Sequence, residues 1–139
     1  MTIRILVTGS RYIDAVSERL VRDVLNGVLM EIDKPYALGS GDVRPDVVIV
    51  HGGARGVDSV AENWTINRHP HGITAERHSA EWDEYGKRAG MVRNGQMVSL
   101  GAHLCLAFPR KVSPGTWNCI YQAVSAGIIT RIYPLPDMS

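Results

Sequence analysis

The chain has 139 residues, 45% of them hydrophobic and 21% charged, with a formal net charge of +1. That length buries a core without help from disulfides or metal, and the composition is that of a globular protein rather than a disordered or fibrous one. A charge this close to zero excludes the global basic field that holds nucleic acid non-specifically. Cys105 and Cys119 lie in apolar or helical surroundings without C-x-x-C spacing, so they read as reduced thiols. No apolar stretch approaches the roughly 18–20 residues of a membrane helix, and Met1-Thr-Ile-Arg-Ile shows no signal-peptide pattern. The expectation is a cytoplasmic protein with no membrane partner.

Ile3–Thr8 is an apolar run broken only by Arg4, the pattern of a strand covered on both faces. Gly9-Ser10-Arg11 ends it. Asp14 is a good N-cap for a helix whose stripe is Val16, Leu20, Val21, Val24, Leu25 and Val28. Residues 34–46 contain two prolines and two glycines without periodicity and are expected to form an inserted loop. Asp46–Val50 predicts a second buried strand. A helix follows it, on the spacing of Val57, Val60, Ala61 and Trp64, and runs to about Asn67.

His69-Pro-His-Gly72 reads as a turn rather than a metal site, because no carboxylate or cysteine stands nearby in sequence. Ile73–His78 predicts a weaker strand and Tyr85 onward a helix, on which Lys87, Gly90 and Asn94 share a face with Arg93 beside them. Ala102–Phe108 predicts a fourth strand, with His103 as a satisfied or edge histidine. The last helix is expected to start with Thr116 as N-cap and to stop at Gly127. Ile128–Tyr133 closes the pattern as a fifth strand, leaving 134–139 as a frayed tail. The whole predicts one α/β domain over residues 1–133: a Rossmann-like, doubly wound parallel sheet of about five strands with helices on both faces.

In such sheets ligands bind outside the carboxyl ends of the strands. Three turns fall there: Gly9-Ser10-Arg11, the octapeptide His51-Gly-Gly-Ala-Arg-Gly-Val-Asp58, and Gly115-Thr116. The octapeptide joins a strand to a helix, where unpaired amides and the helix dipole suit a phosphate. Gly52, Gly53 and Gly56 allow close approach, and Arg55 brings a fork of donors. It is neither a Walker A sequence nor a Gly-x-Gly-x-x-Gly fingerprint, and its glycines would serve tight packing equally well.

This ordered set resembles a known family. Gly9-Ser-Arg11, the octapeptide, Trp82 with Gly86, Ala89-Gly-x-x-Arg-Asn94 and Gly115-Thr116 are together similar to the SLOG superfamily, and within it to the YspA-like group (DUF2493). The resemblance runs over roughly Ile3–Ile132. It implies a domain binding nucleotides or nucleotide-derived ligands, in a superfamily that includes the Lonely-guy phosphoribohydrolases and the DNA-processing protein DprA. The Lonely-guy signature Pro-Gly-Gly-x-Gly-Thr-x-x-Glu is here Pro114-Gly-Thr-Trp-Asn-Cys119, with Cys119 where the glutamate would fall.

The leading expectation is binding of a phosphate-bearing nucleotide or derivative. Gly9, Ser10, Arg11, His51, Gly52, Gly53, Arg55, Gly56, Asp58, Gly115 and Thr116 would form the site, and Arg93 and Asn94 would complete it or buttress the octapeptide. Asp58 would cap backbone amides or meet a ribose hydroxyl. A hydrolase acting on an N-glycosidic or phosphate bond, with Asp58 or Glu62 as acid or base, is the alternative; single-stranded DNA binding is the third. No cofactor or metal is expected, and homo-oligomerisation, as a dimer, is.

Overall fold

The computed structural model describes residues 1–37 and 41–136, so 38–40 of the expected loop and 137–139 of the expected tail lie outside the described residues. Among these, β1 (Thr2–Gly9), β2 (Asp46–His51), β3 (Ile73–Arg77), β4 (Leu104–Phe108) and β5 (Thr130–Ile132) form a parallel sheet in the order β3-β2-β1-β4-β5. Ile5 is level with Ile49 on one side and Leu104 on the other. β1 is therefore central, and its near-continuous apolar run reflects cover on both faces.

The helices are α1 (Ala15–Asp33), α2 (Val57–Ile66), α3 (Trp82–Tyr85), α4 (Ala89–Ser99) and α5 (Pro114–Ser125). Strand alternation divides the core. Ile5 and Val7 join Val21 and Leu25 of α1 and Val60 and Trp64 of α2, whereas Leu6 joins Met97 of α4 and Cys119 and Ala123 of α5. The expected Rossmann-like arrangement of five parallel strands with helices on both faces is the one observed.

Asp14 caps α1 as its sequence position suggested, accepting the Ser17 amide at 2.8 Å. Val16, expected in the buried stripe, is exposed, because Ser17 takes the inward position in the first turn. The helix expected from Tyr85 is interrupted. Gly86 adopts φ 57°, a left-handed value that ends α3, and a 3-10 turn over Gly86–Arg88 precedes α4. Part of the 34–46 segment is a 3-10 turn over Lys34–Tyr36, and Arg44 ion-pairs with Asp33 and donates to the His71 carbonyl.

Thr116 is not the N-cap of α5. The helix begins two residues earlier, with Pro114 in the first turn, where a missing N–H costs nothing, and Ser113 in the cap position. Gly127 does end it, at φ 80°. Over residues 134–136 the chain is not frayed: Leu135 is buried and its amide donates to the Pro109 carbonyl at 2.8 Å, a long-range anchor with no local sequence signal.

Candidate ligand-binding site

Parallel strands put every strand-to-helix turn on one edge of the sheet. The order reverses at β1, since β2 lies on one side of it and β4 on the other, and this is the switch point at which open α/β sheets hold ligands. A cavity of about 490 Å³ opens there, within the size range of small-molecule sites. Thr8 to Tyr12 after β1 form one wall; Val112 to Thr116 at the start of α5 form another. Ala54 and Asp58 come from the octapeptide, and Trp82, Lys87, Gly90, Met91, Arg93 and Asn94 from the α3–α4 region close it.

Its floor is polar and largely withdrawn from solvent. Ser10, Asp58, Asn94 and Thr116 are all at most 6% exposed. Its rim is the reverse, with Tyr12 61%, Trp82 51% and Met91 50% exposed. Arg11 lies over the Trp82 ring at 5.9 Å. Arg55 stays outside the lining but stacks on Tyr12 at 5.1 Å and donates to its hydroxyl at 3.3 Å, so it orients a rim aromatic.

Inside the octapeptide the amides of residues 52, 53 and 54 already have partners. Asp58 Oδ2 accepts from Gly52 N at 3.1 Å and Ala54 N at 3.2 Å, and His51 Nδ1 accepts from Gly53 N at 3.0 Å. With Nδ1 accepting, the neutral ring carries its proton on Nε2, which lies 3.2 Å from Glu62 Oε1. Burial lowers the His51 pKa, which favours that neutral form. His51 and Glu62 thus form a pair behind the loop, and neither lines the cavity.

The carbonyls are held too: Arg93 Nη1 donates to Gly52 O at 2.6 Å and Arg77 Nη2 to Gly53 O at 3.3 Å. The glycines make this closure sterically feasible. A Cβ on Gly52 would fall 2.4 Å from the Arg93 guanidinium, and one on Gly56, whose φ is 79°, would fall 2.3 Å from Ser10 O. Gly9 is equally tight against Val57, whose amide donates to Ser10 O at 3.0 Å.

Arg93 and Asn94 connect the walls. Arg93 Nε donates to Asn94 Oδ1 at 3.0 Å, and Asn94 Nδ2 donates to Gly115 O at 3.2 Å and Asn118 Oδ1 at 3.1 Å. One α4 pair therefore fixes both the octapeptide and the start of α5, and it also lines the cavity.

Asp58 differs from every other polar group on the floor. Its Oδ1 is buried and has no hydrogen-bond partner in the protein, which is true of no other side-chain polar atom among the described residues. Removal from water raises its pKa to about 6, against the opposing pull of the Gly52 and Ala54 amides and of Arg93 and Arg11. Cys119, standing where the related hydrolases have glutamate, is fully buried, and burial pushes its thiol up to about 11, so it is no acid or nucleophile at neutral pH.

Of the residues singled out in the sequence, Gly9, Ser10, Arg11, Asp58, Arg93, Asn94, Gly115 and Thr116 meet around this cavity. His51, Gly52, Gly53, Arg55, Gly56 and Glu62 form the structure behind or beside it. Tyr12, Met91 and Val112 carried no sequence signal, being isolated exposed residues.

A β3-β2-β1-β4-β5 parallel sheet with a small-molecule-sized cavity at its switch point defines a Rossmann-like α/β protein. More particularly, the chain belongs to the YspA, cpYpsA-related SLOG family, whose model matches residues 3–85. It is also similar to the Gene 61 protein of Mycobacterium phage D29, with 40% identity over 134 residues, covering 90% of this chain and 91% of that one. No solved structure gives a significant match. Family membership points to a nucleotide-related function. No helix among the described residues is long and apolar enough to cross a membrane.

Proposed function

We propose that the cavity binds a phosphate-bearing nucleotide or nucleotide-derived small molecule. The observation that supports this is the combination of the N-terminal turn of α5 with the Arg11 and Lys87 cations around a polar floor, beneath an aromatic rim. Helix amides and cations suit a phosphate. Tyr12 and Trp82 suit the face of a base. The octapeptide contributes by placing Asp58, and its amides at residues 52, 53 and 54 are already paired.

Calorimetric titration with nucleoside mono-, di- and triphosphates, cyclic nucleotides and ADP-ribose tests the proposal. At least one should bind, and Arg11→Ala or Lys87→Ala should weaken it by about tenfold, the size of one charge-assisted contact. A panel without any heat or thermal stabilisation sinks it.

A second reading, turnover of the ligand, is favoured by one observation: an acid of pKa about 6 inside the cavity is suited to proton transfer near neutrality. Chromatography of nucleoside monophosphates after incubation decides it. Free base released by the wild type but not by Asp58→Asn makes the protein a hydrolase; intact ligand leaves it a binder.

A further inference from the structure

Resting on the nucleotide reading above, we propose that Asp58 Oδ1 is the acceptor for a sugar hydroxyl of the ligand, so that the cavity selects ribose-bearing phosphates over their deoxy counterparts. Three features of the site lead there. First, the octapeptide, the Arg93 clamp and the close contact of Gly56 with Ser10 fix the carboxylate with one oxygen on two loop amides and the other on none. A buried carboxylate oxygen without a partner is costly, and it is retained where a donor arrives from outside the fold.

Second, the neighbouring floor groups are already matched. Ser10 Oγ donates to the Tyr12 carbonyl and accepts the Tyr12 amide, Ser113 Oγ donates to Thr116 Oγ1, and Asn94 is bonded through both its oxygen and its nitrogen. Asp58 Oδ1 is the one buried side-chain oxygen without a partner among the described residues, and an anionic group placed against it would be repelled. Third, the chemistry of the walls separates the ligand's parts. The apolar and aromatic groups lie at the exposed rim and suit a base, and the cations and the α5 turn suit the phosphate. The part of a nucleotide that reaches the floor between them is the sugar, whose donors are hydroxyls.

The carboxylate must be ionised to accept without competition from its own proton. Facing it are Arg93 from α4, Arg11 after β1 and the neutral Cys119 thiol of α5, with Lys87 on the same cavity wall. With its pKa raised to about 6, binding should weaken as the pH falls through that value, and the complex should release a proton on formation near pH 6.

The test is calorimetry with AMP, GMP, CMP and UMP and their 2′,3′-dideoxy counterparts, at pH 7.5 and in two pH 6 buffers of different ionisation enthalpy. Purine riboside monophosphate is added as a control for the base amino group. The expected result is that the dideoxy forms bind roughly ten- to hundredfold more weakly, the effect of losing a hydrogen bond to a charged group, with proton release at pH 6. In Asp58→Asn the side-chain oxygen still accepts the two loop amides and the NH2 faces the cavity, so the hydroxyl can no longer donate to a charged acceptor: the sugar preference should shrink to a fewfold and the proton release at pH 6 should vanish.

Should that variant fail to fold, the wild-type comparison alone decides. Equal affinity for ribo and dideoxy forms overturns the proposal while leaving nucleotide binding intact. A preference that follows the base amino group rather than the hydroxyls also overturns it. If no nucleotide binds at all, the nucleotide reading itself fails and this one falls with it.

Discussion

Asp58 and Glu76 are both partly or wholly withdrawn from water, yet the fold treats them in opposite ways. Glu76 on β3 takes both Arg4 nitrogens, at 3.0 and 2.8 Å, from a side chain that reaches across β2, and it lies 2.7 Å from His78 Nε2. The Arg4 and His78 hydrogen bonds hold its carboxyl down at about 2. Asp58 receives two amides on one oxygen, nothing on the other, and desolvation prevails, raising it to about 6. The first carboxylate is a strut between strands. The second has been left short of partners beside a cavity that can supply one, and perturbed acids in clefts are a mark of functional sites.

The sharpest way to break the Asp58 side is Gly56→Ala. With φ at 79° and backbone atoms of Ser10 and Arg11 within 2.6 Å of the added carbon, chemical denaturation should show a loss on the order of 3–5 kcal/mol, from strain and overpacking together. Next is Asp58→Asn, which should stabilise the protein at pH 7.5 by roughly 2–3 kcal/mol, the equivalent of raising the carboxyl from 3.8 to about 6. A raised carboxylate pKa means stability that is present at low pH and lost as pH climbs through about 6. The gain from the variant should therefore shrink to nothing below about pH 4. A variant no more stable than wild type at pH 7.5 would show that Oδ1 is not strained in the free protein.

Glu76→Gln should act in the reverse sense and less strongly. A lowered pKa contributes stability above about 4.5 that fades as pH falls toward 2. Because the Glu76 side chain is about a third exposed, solvent screening reduces the loss at pH 7 to about 1 kcal/mol, and it should vanish in acid. Equal pH profiles for the two variants would erase the contrast between strut and site.

Much of this architecture was written in short-range patterns. Apolar runs at Ile3–Thr8 and Val47–Val50 needed cover on both faces, and the 3.6-residue spacing of Val57, Val60, Ala61 and Trp64 fixed α2. Parallel order then forced the three small-residue turns onto one edge. What stayed hidden depended on contacts between distant segments. The letters of His51–Asp58 suit an anion cradle and a self-closed loop equally well; which of them forms is decided by Arg93 and Arg77, some 40 and 24 residues away, taking the loop carbonyls. Leu135 reads as part of a loose end in sequence because its pocket is made by residues elsewhere in the chain.

The two cysteines give the molecule a built-in chemical clock. Both thiols are completely enclosed, and burial drives Cys105 to about 12 and Cys119 to about 11, so thiolate is scarce and reagents have no path to it. One lies on the central part of the sheet and the other on the helix that flanks the cavity. Maleimide uptake in the native protein should consequently proceed only as fast as the layers on that face separate, and comparing the two sites would time whether helix and sheet part together or in turn.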